Sequence, residues 1–195
     1  MIAQERFIVR SSDREAWLAA RAEGVTATQV AKAATPAGMR EALQEISEPS
    51  EVFANEFMLW GTEREPAIAL TVQQQHEIDP NDWLICAEGR ANRWMLATPD
   101  GLSTDHTVIG EYKTGGKPFT RVPIAHRRQV QWQLFVTGAE RCLYAFEQRL
   151  GEPGAFYPAF DIHTEWIERD EEEILKLRAV AEQLQEHAVF LSRSA

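Results

Sequence analysis

At 195 residues the chain is long enough for one well-packed domain and short for two. Hydrophobic residues at 44% and charged residues at 26% are those of a soluble globular protein, and no run approaches a membrane-spanning length. Cys86 and Cys142 are too few for a four-cysteine iron–sulfur centre and form no disulfide framework. The first residues, "MIAQERFIVRSSDRE", lack an apolar signal core, so a reducing, cytoplasmic setting is expected.

The net charge of −10 argues against a nucleic-acid partner, but its distribution argues the other way. Between Glu111 and Glu140 there is no acidic residue, while Lys113, Lys117, Arg121, Arg127 and Arg128 all lie there beside His126. An acidic protein with one basic strip can hold a phosphate backbone locally. The same strip could instead pair with acidic neighbours.

In chain order, "SSDREAWLAARAEG" predicts a helix with Ser12 and Glu15 in capping-box spacing, ended by Gly24. "VTATQVAKAA" predicts a second short helix, with Thr26 and Gln29 in the same relation. Residues 34–50, "ATPAGMREALQEISEPS", are broken by prolines and glycine and predict an arm or loop with one helical turn. "NEFMLWGTEREPAIALTVQQQHE" reads as helix, kinked or restarted at Pro66, which places Glu65 at a deformed point.

From residue 83 the period becomes that of strands: "WLICAE", "WMLAT" and "HTVIGEYKT". "RRQVQWQLFVTG" returns to helix, "CLYAFEQ" and "FYPAFDIH" to strand. In the last segment Ile174, Leu177, Ala181, Leu184, Ala188 and Leu191 follow helical spacing, with Asp170 as cap, and predict a helix covering a sheet face. There are no repeats. The order predicts one α/β domain with a central mixed sheet flanked by helices: a helical part at 1–80, a sheet core at 81–165 with an inserted helix, and a C-terminal helix at 166–195.

The chemistry concentrates in "LATPDGLSTDHTVIGEYKTGG", residues 96–116. Glu111 and Lys113 project from one face of their strand while Tyr112 turns to the other. If "MLAT" pairs with "TVIGEYKT", Asp100 comes near Glu111. Two close carboxylates in a poorly solvated cleft repel, and a divalent cation or Lys113 would offset this. Hard oxygen ligands suit Mg²⁺ or Mn²⁺. A plain salt-bridge network would use the same residues.

"AWLAARAEGVTATQV", "LWGTEREPA", "ATPDGL", "EYKT" and "RRQVQWQLFVTG", from about Trp17 to Gly138, stand in the order found in the phage lambda exonuclease-like (YqaJ-type) viral recombinases. The chain resembles that family, whose catalytic core is restriction-endonuclease-like with an Asp…Glu-x-Lys signature. The resemblance implies a Mg²⁺-dependent exonuclease degrading one strand of duplex DNA from a 5′ end, with Mn²⁺ as substitute. It implies that Asp100 bridges two metal ions, that Glu111 and the Tyr112 carbonyl complete one site, and that Glu65 reaches the other. Lys113 would orient or deprotonate water, and Gln129 would contact the reaction centre. Arg21 and Thr28 would hold the terminal 5′ phosphate, with Thr98, Lys117, Arg121, Arg127 and Arg128 as further DNA contacts. DNA ends, an annealing protein and a ring-shaped homotrimer are the implied partners, and the arm between residues 35 and 55 is short for the family. An endonuclease of the same core, and a non-catalytic interaction protein using the acidic surface and last helix, are the alternatives.

Overall fold

The period-2 alternation of residues 108–115 and 141–168 builds the principal sheet of the molecule. The computed structural model describes residues 1–48 and 54–194. In it β7 (Val108–Gly115) and β8 (Arg141–Leu150) run parallel, from Val108 opposite Arg141 to Gly115 opposite Gln148. A parallel pair needs a crossover, which α5 (Ile124–Thr137) supplies. β9 (Tyr157–Glu168) folds back antiparallel on β8. On the other side β6 (Gly101–Ser103) and β3 (Ile78–Pro80) continue antiparallel, giving the order β3-β6-β7-β8-β9. This is the expected mixed sheet flanked by helices.

Alternation sends side chains of the central strands to two different helices. Tyr112, Leu143 and Ala145 pack with Ile68, Ala69 and Val72 of α4 (Glu56–His76). Ile109, Cys142 and Tyr144 belong to the larger core on the opposite face, with Val130 and Leu134 of α5. Beyond α5 lie α2 (Ala27–Ala33), α3 (Pro36–Ser47) and α6 (Glu171–Ser194). Asp170 caps α6 as expected, and Ile174, Leu177, Ala181 and Leu184 are its buried residues. They cover α2, α3 and α5 rather than a sheet face.

A second sheet, ordered β1-β4-β5-β2, is built from β1 (Phe7–Arg10), β2 (Val25–Thr26), β4 (Trp83–Cys86) and β5 (Met95–Ala97). Its Ile85, Met95 and Ala97 join the core around α5. Leu84, Cys86 and Leu96 pack on the other side with Trp17 and Ala20 of α1 (Arg14–Ala22). The expected pairing of the "MLAT" strand with β7 is therefore wrong: β5 pairs β4 and β2, and β6 is the neighbour of β7.

Three local expectations change. Asp13, not Ser12, caps α1, its Oδ1 accepting from the Ala16 N–H. Residues 36–47 form a regular helix rather than an arm, because Pro36 occupies its first turn and Thr35 accepts from the Gly38 N–H. Residues 49–53 of the expected arm lie outside the described residues. α4 runs as one 21-residue helix through Pro66, capped by Asn55.

Candidate active site

The turn after β5 is clamped before β6 begins. Asn81 donates from Nδ2 to the Pro99 carbonyl at 2.7 Å and from its N–H to the Asp100 carbonyl at 2.9 Å. The Asp100 N–H bonds to the Gly110 carbonyl at 2.9 Å, and Asp100 Oδ2 accepts from the Tyr112 N–H at 2.7 Å. The glycine of "PDG" serves packing: a Cβ on Gly101 would collide with the Tyr112 hydroxyl and sit 2.9 Å from Ile78. Asp100 thus reaches β7 through β6.

β6 pairs only with Ile109 and Gly110, so β7 has no strand partner on that edge from Glu111 onward. A strand residue directs its N–H and C=O to the same edge. Since the Tyr112 N–H turns to Asp100, its carbonyl faces that open edge as well.

Glu111, 1% exposed, points to the α5 face and is held on both oxygens. Gln129 Nε2 donates to Oε1 at 2.6 Å and Gln133 Nε2 to Oε2 at 2.7 Å, while Lys113 Nζ pairs with Oε1. Gln133 is a site residue that the sequence reading misses. The signal was there: it stands four residues after Gln129, on the same helical face. His126, on that face too, bonds through Nδ1 to the Tyr144 hydroxyl at 2.7 Å.

Electrostatics tie Glu65 and Asp100 to this group. Burial, then Glu111 and Glu65, push the Asp100 carboxyl well above its usual range, against Lys113 and the Tyr112 N–H. Burial also raises Glu65, with Lys113 opposing and Glu111 adding to the rise. Burial alone would depress the Lys113 ammonium, but Glu111 and Asp100 outweigh it and hold the group above its ordinary value. Asp100 and Glu65 line a cleft of about 560 Å³ with Arg10, Pro66, Leu70 and Asn81. The structure therefore brings Asp100, Glu111, Tyr112, Lys113, Gln129 and Glu65 into one neighbourhood.

Among the described residues no three His, Cys, Asp or Glu side chains form a finished metal centre. Amides and an ammonium occupy Glu111 instead. The donor set nonetheless suits a divalent cation: it consists of oxygens, and burial, with the Glu111 carboxylate beside them, pushes the Asp100 and Glu65 carboxyls up.

The other expected contacts are placed unevenly. Arg21 lies across the Trp17 ring, 4.2 Å from its centroid, and is pulled down by burial and by Arg14. Thr28 is exposed in the first turn of α2, whose Thr26 N–H is taken by Gln29 Oε1 at 2.9 Å. The Thr98 hydroxyl is buried without a hydrogen-bond partner among the described residues. Lys117 and Arg121 are exposed between β7 and α5 and make no ion pair among those residues. Arg127 and Arg128 are different: they pair with Glu165 and, at 3.1 Å, with Glu173. These two carry acidic partners, where Lys117 and Arg121 have none among the described residues.

The fold built on this five-stranded mixed sheet is similar to that of known exonucleases. An alkaline exonuclease, LHK-Exo from Laribacter hongkongensis, matches with TM-score 0.67 and 24% identity over 92% of this chain and 97% of its own. LHK-Exo in complex with dAMP matches with TM-score 0.63 and 25% identity over the same shares. A phage related exonuclease from Haemophilus somnus 129PT gives 0.69 at 15% identity, over 88% of this chain and 96% of its own. No curated protein matches the chain. The YqaJ-like viral recombinase domain profile matches residues 16–140, and the chain belongs to that family.

Proposed function

We propose that this protein is a divalent-metal-dependent DNA exonuclease that degrades one strand of linear duplex DNA from its 5′ end, leaving 3′ single-stranded overhangs for phage-type recombination. The observation that carries the reading is the convergence of Asp100 and Glu65 on buried Glu111 and Lys113, where β7 loses its β6 neighbour. Asp100, Glu111 and the Tyr112 carbonyl would hold one Mg²⁺, and Asp100 with Glu65 a second, Mn²⁺ substituting. When bound, these ions neutralise phosphate charge and lower the pKa of water.

The chain's own residues do the rest. Gln129 and Gln133 fix the Glu111 rotamer from α5. Lys113 is kept protonated by Glu111 and Asp100, which outweigh its burial; as the ammonium it would orient the attacking water, and it would take the water's proton only after first releasing its own to solvent. Arg21 forks onto the terminal 5′ phosphate and Thr28 adds a hydroxyl donor, its exposure leaving it open to DNA. Lys117 and Arg121 track the backbone, with Thr98 beside the metal-binding turn. The dAMP in the LHK-Exo complex fits a site that releases mononucleotides. A homotrimer and an annealing protein that takes up the overhang complete the proposal.

Comparing linear 5′-phosphorylated duplex with closed circular duplex, with and without Mg²⁺, tests it. Shortening of the linear DNA alone, and only with metal, is expected. Digestion of the circle would favour an endonuclease, and resistance of both at every Mg²⁺ and Mn²⁺ concentration would remove the proposal.

A further inference from the structure

The layer between α4 and the sheet contains one feature that an apolar interface does not need. Trp60, Arg64, Ile68 and Val72 follow one another at four-residue spacing down α4, and Trp60, Ile68 and Val72 are buried. On β8, Leu143 and Ala145 meet this ridge, and Glu147 is the next residue on the same strand face. Arg64 fills the gap in the ridge and forks onto Glu147, Nε to Oε2 at 2.8 Å and Nη2 to Oε1 at 2.9 Å. The Glu147 side chain is 3% exposed, against 25% for Arg64.

Such a pair adds little to stability beyond what two packed apolar side chains would give, because both charges must be desolvated. It adds direction, since a planar guanidinium meets a carboxylate in one orientation. Direction matters at this point of α4. Pro66 has no N–H, so the Thr62 carbonyl lacks its helical partner. The turn that carries Glu65 therefore has one backbone hydrogen bond fewer to the following turns, which Ile68, Ala69 and Val72 anchor.

We infer that the Arg64–Glu147 pair is a positioning clamp that sets where Glu65 reaches into the active site. Glu65 is the next residue after Arg64 and stands directly before Pro66, and it has no ion-pair partner of its own among the described residues. The inference rests on the proposed second metal position at Glu65. Neither Arg64 nor Glu147 touches substrate in this account; both act through the helix.

The test uses the full chain with Mn²⁺ as probe, bound ions being counted by electron paramagnetic resonance, alongside nuclease rates and thermal melts. Glu147→Gln keeps shape and one acceptor, and Arg64→Lys keeps charge but loses the fork, so the two probe the clamp with different costs to folding. Each should weaken the weaker of two Mn²⁺ sites by roughly 10–100-fold and leave the tighter one unchanged. In a Glu65→Gln background the same changes should cost less than about twofold further in rate, because the clamp then has nothing left to place. Losses that multiply with Glu65→Gln, or two Mn²⁺ sites unaltered in both variants, would overturn the clamp. If Glu65→Gln by itself leaves Mn²⁺ binding unchanged, the second-site assignment fails first and the clamp with it, a result distinct from the other two.

Discussion

Gln133 donates to Glu111 Oε2 at 2.7 Å from a position 1% exposed, while Gln129 takes the other oxygen. Two amides one helical turn apart therefore fix a buried carboxylate before any ligand arrives. Partners of this kind orient a metal-binding group and commonly contribute 10–100-fold to affinity or activity. Gln133→Leu should lower the nuclease rate by about that factor and raise the Mg²⁺ concentration for half-maximal rate. A Mg²⁺ titration of the rate checks this, and an unchanged midpoint would assign Gln133 to packing alone.

Asp100 and Glu65 carry raised carboxyl pKa values, so folding favours their protonated forms. The folded protein then binds more protons than the unfolded chain between the ordinary carboxylate value and the raised one. Stability of the metal-free protein must fall as pH rises through that window. Asp100→Asn should abolish hydrolysis and yet melt higher than the parent above the window, by about 2–4 °C per kcal/mol recovered. Melting curves in EDTA across the pH range decide this, and a variant that melts lower at alkaline pH contradicts the electrostatic account.

Arg21 is half-buried against Trp17, and the proposed 5′-phosphate contact falls on its guanidinium. Arg21→Ala should slow digestion of 5′-phosphorylated ends at least about tenfold more than that of 5′-hydroxyl ends, the loss of one charge-assisted contact being worth about 1.5–3 kcal/mol. Equal losses on the two substrates would remove the phosphate pocket.

The basic strip divides by its partners. Lys117→Ala with Arg121→Ala should reduce the slope of log affinity against log salt by about 2, one unit per lost phosphate contact. Arg127→Ala should leave that slope unchanged, because the guanidinium is held by Glu165. Fluorescence anisotropy with labelled duplex at several salt concentrations separates the two cases; a slope that moves with Arg127 alone would reverse the division.

The proximity of Asp100 to Glu111 is legible in "TPDG" and "GEYKT", but its route is not. β3 and β6 have three residues each, too few for a period to stand out, so the sequence points to β5 as the partner instead. Gly101 reads as a turn glycine, whereas it makes room for the Tyr112 ring. Contacts across the chain leave still less trace. Arg127 and Arg128 look free in a run without acids because Glu165 and Glu173 lie 38 and 45 residues on. Arg64 and Glu147 are 83 residues apart, and nothing local in either stretch signals the other. The clearest helix is α6, where the apolar spacing and the Asp170 cap agree. α3 was hidden because a proline that looks like a breaker occupies its first turn.

Calorimetric titration of Mn²⁺ into the metal-free protein and its Asp100→Asn variant tests the central claim most directly. Saturable binding to the parent is expected, with that binding lost in the variant and retained in Lys113→Ala, which should bind metal but fail to cut DNA. Absence of binding in the parent, or binding that Asp100→Asn leaves intact, would contradict the claim that these carboxylates form the hydrolytic centre.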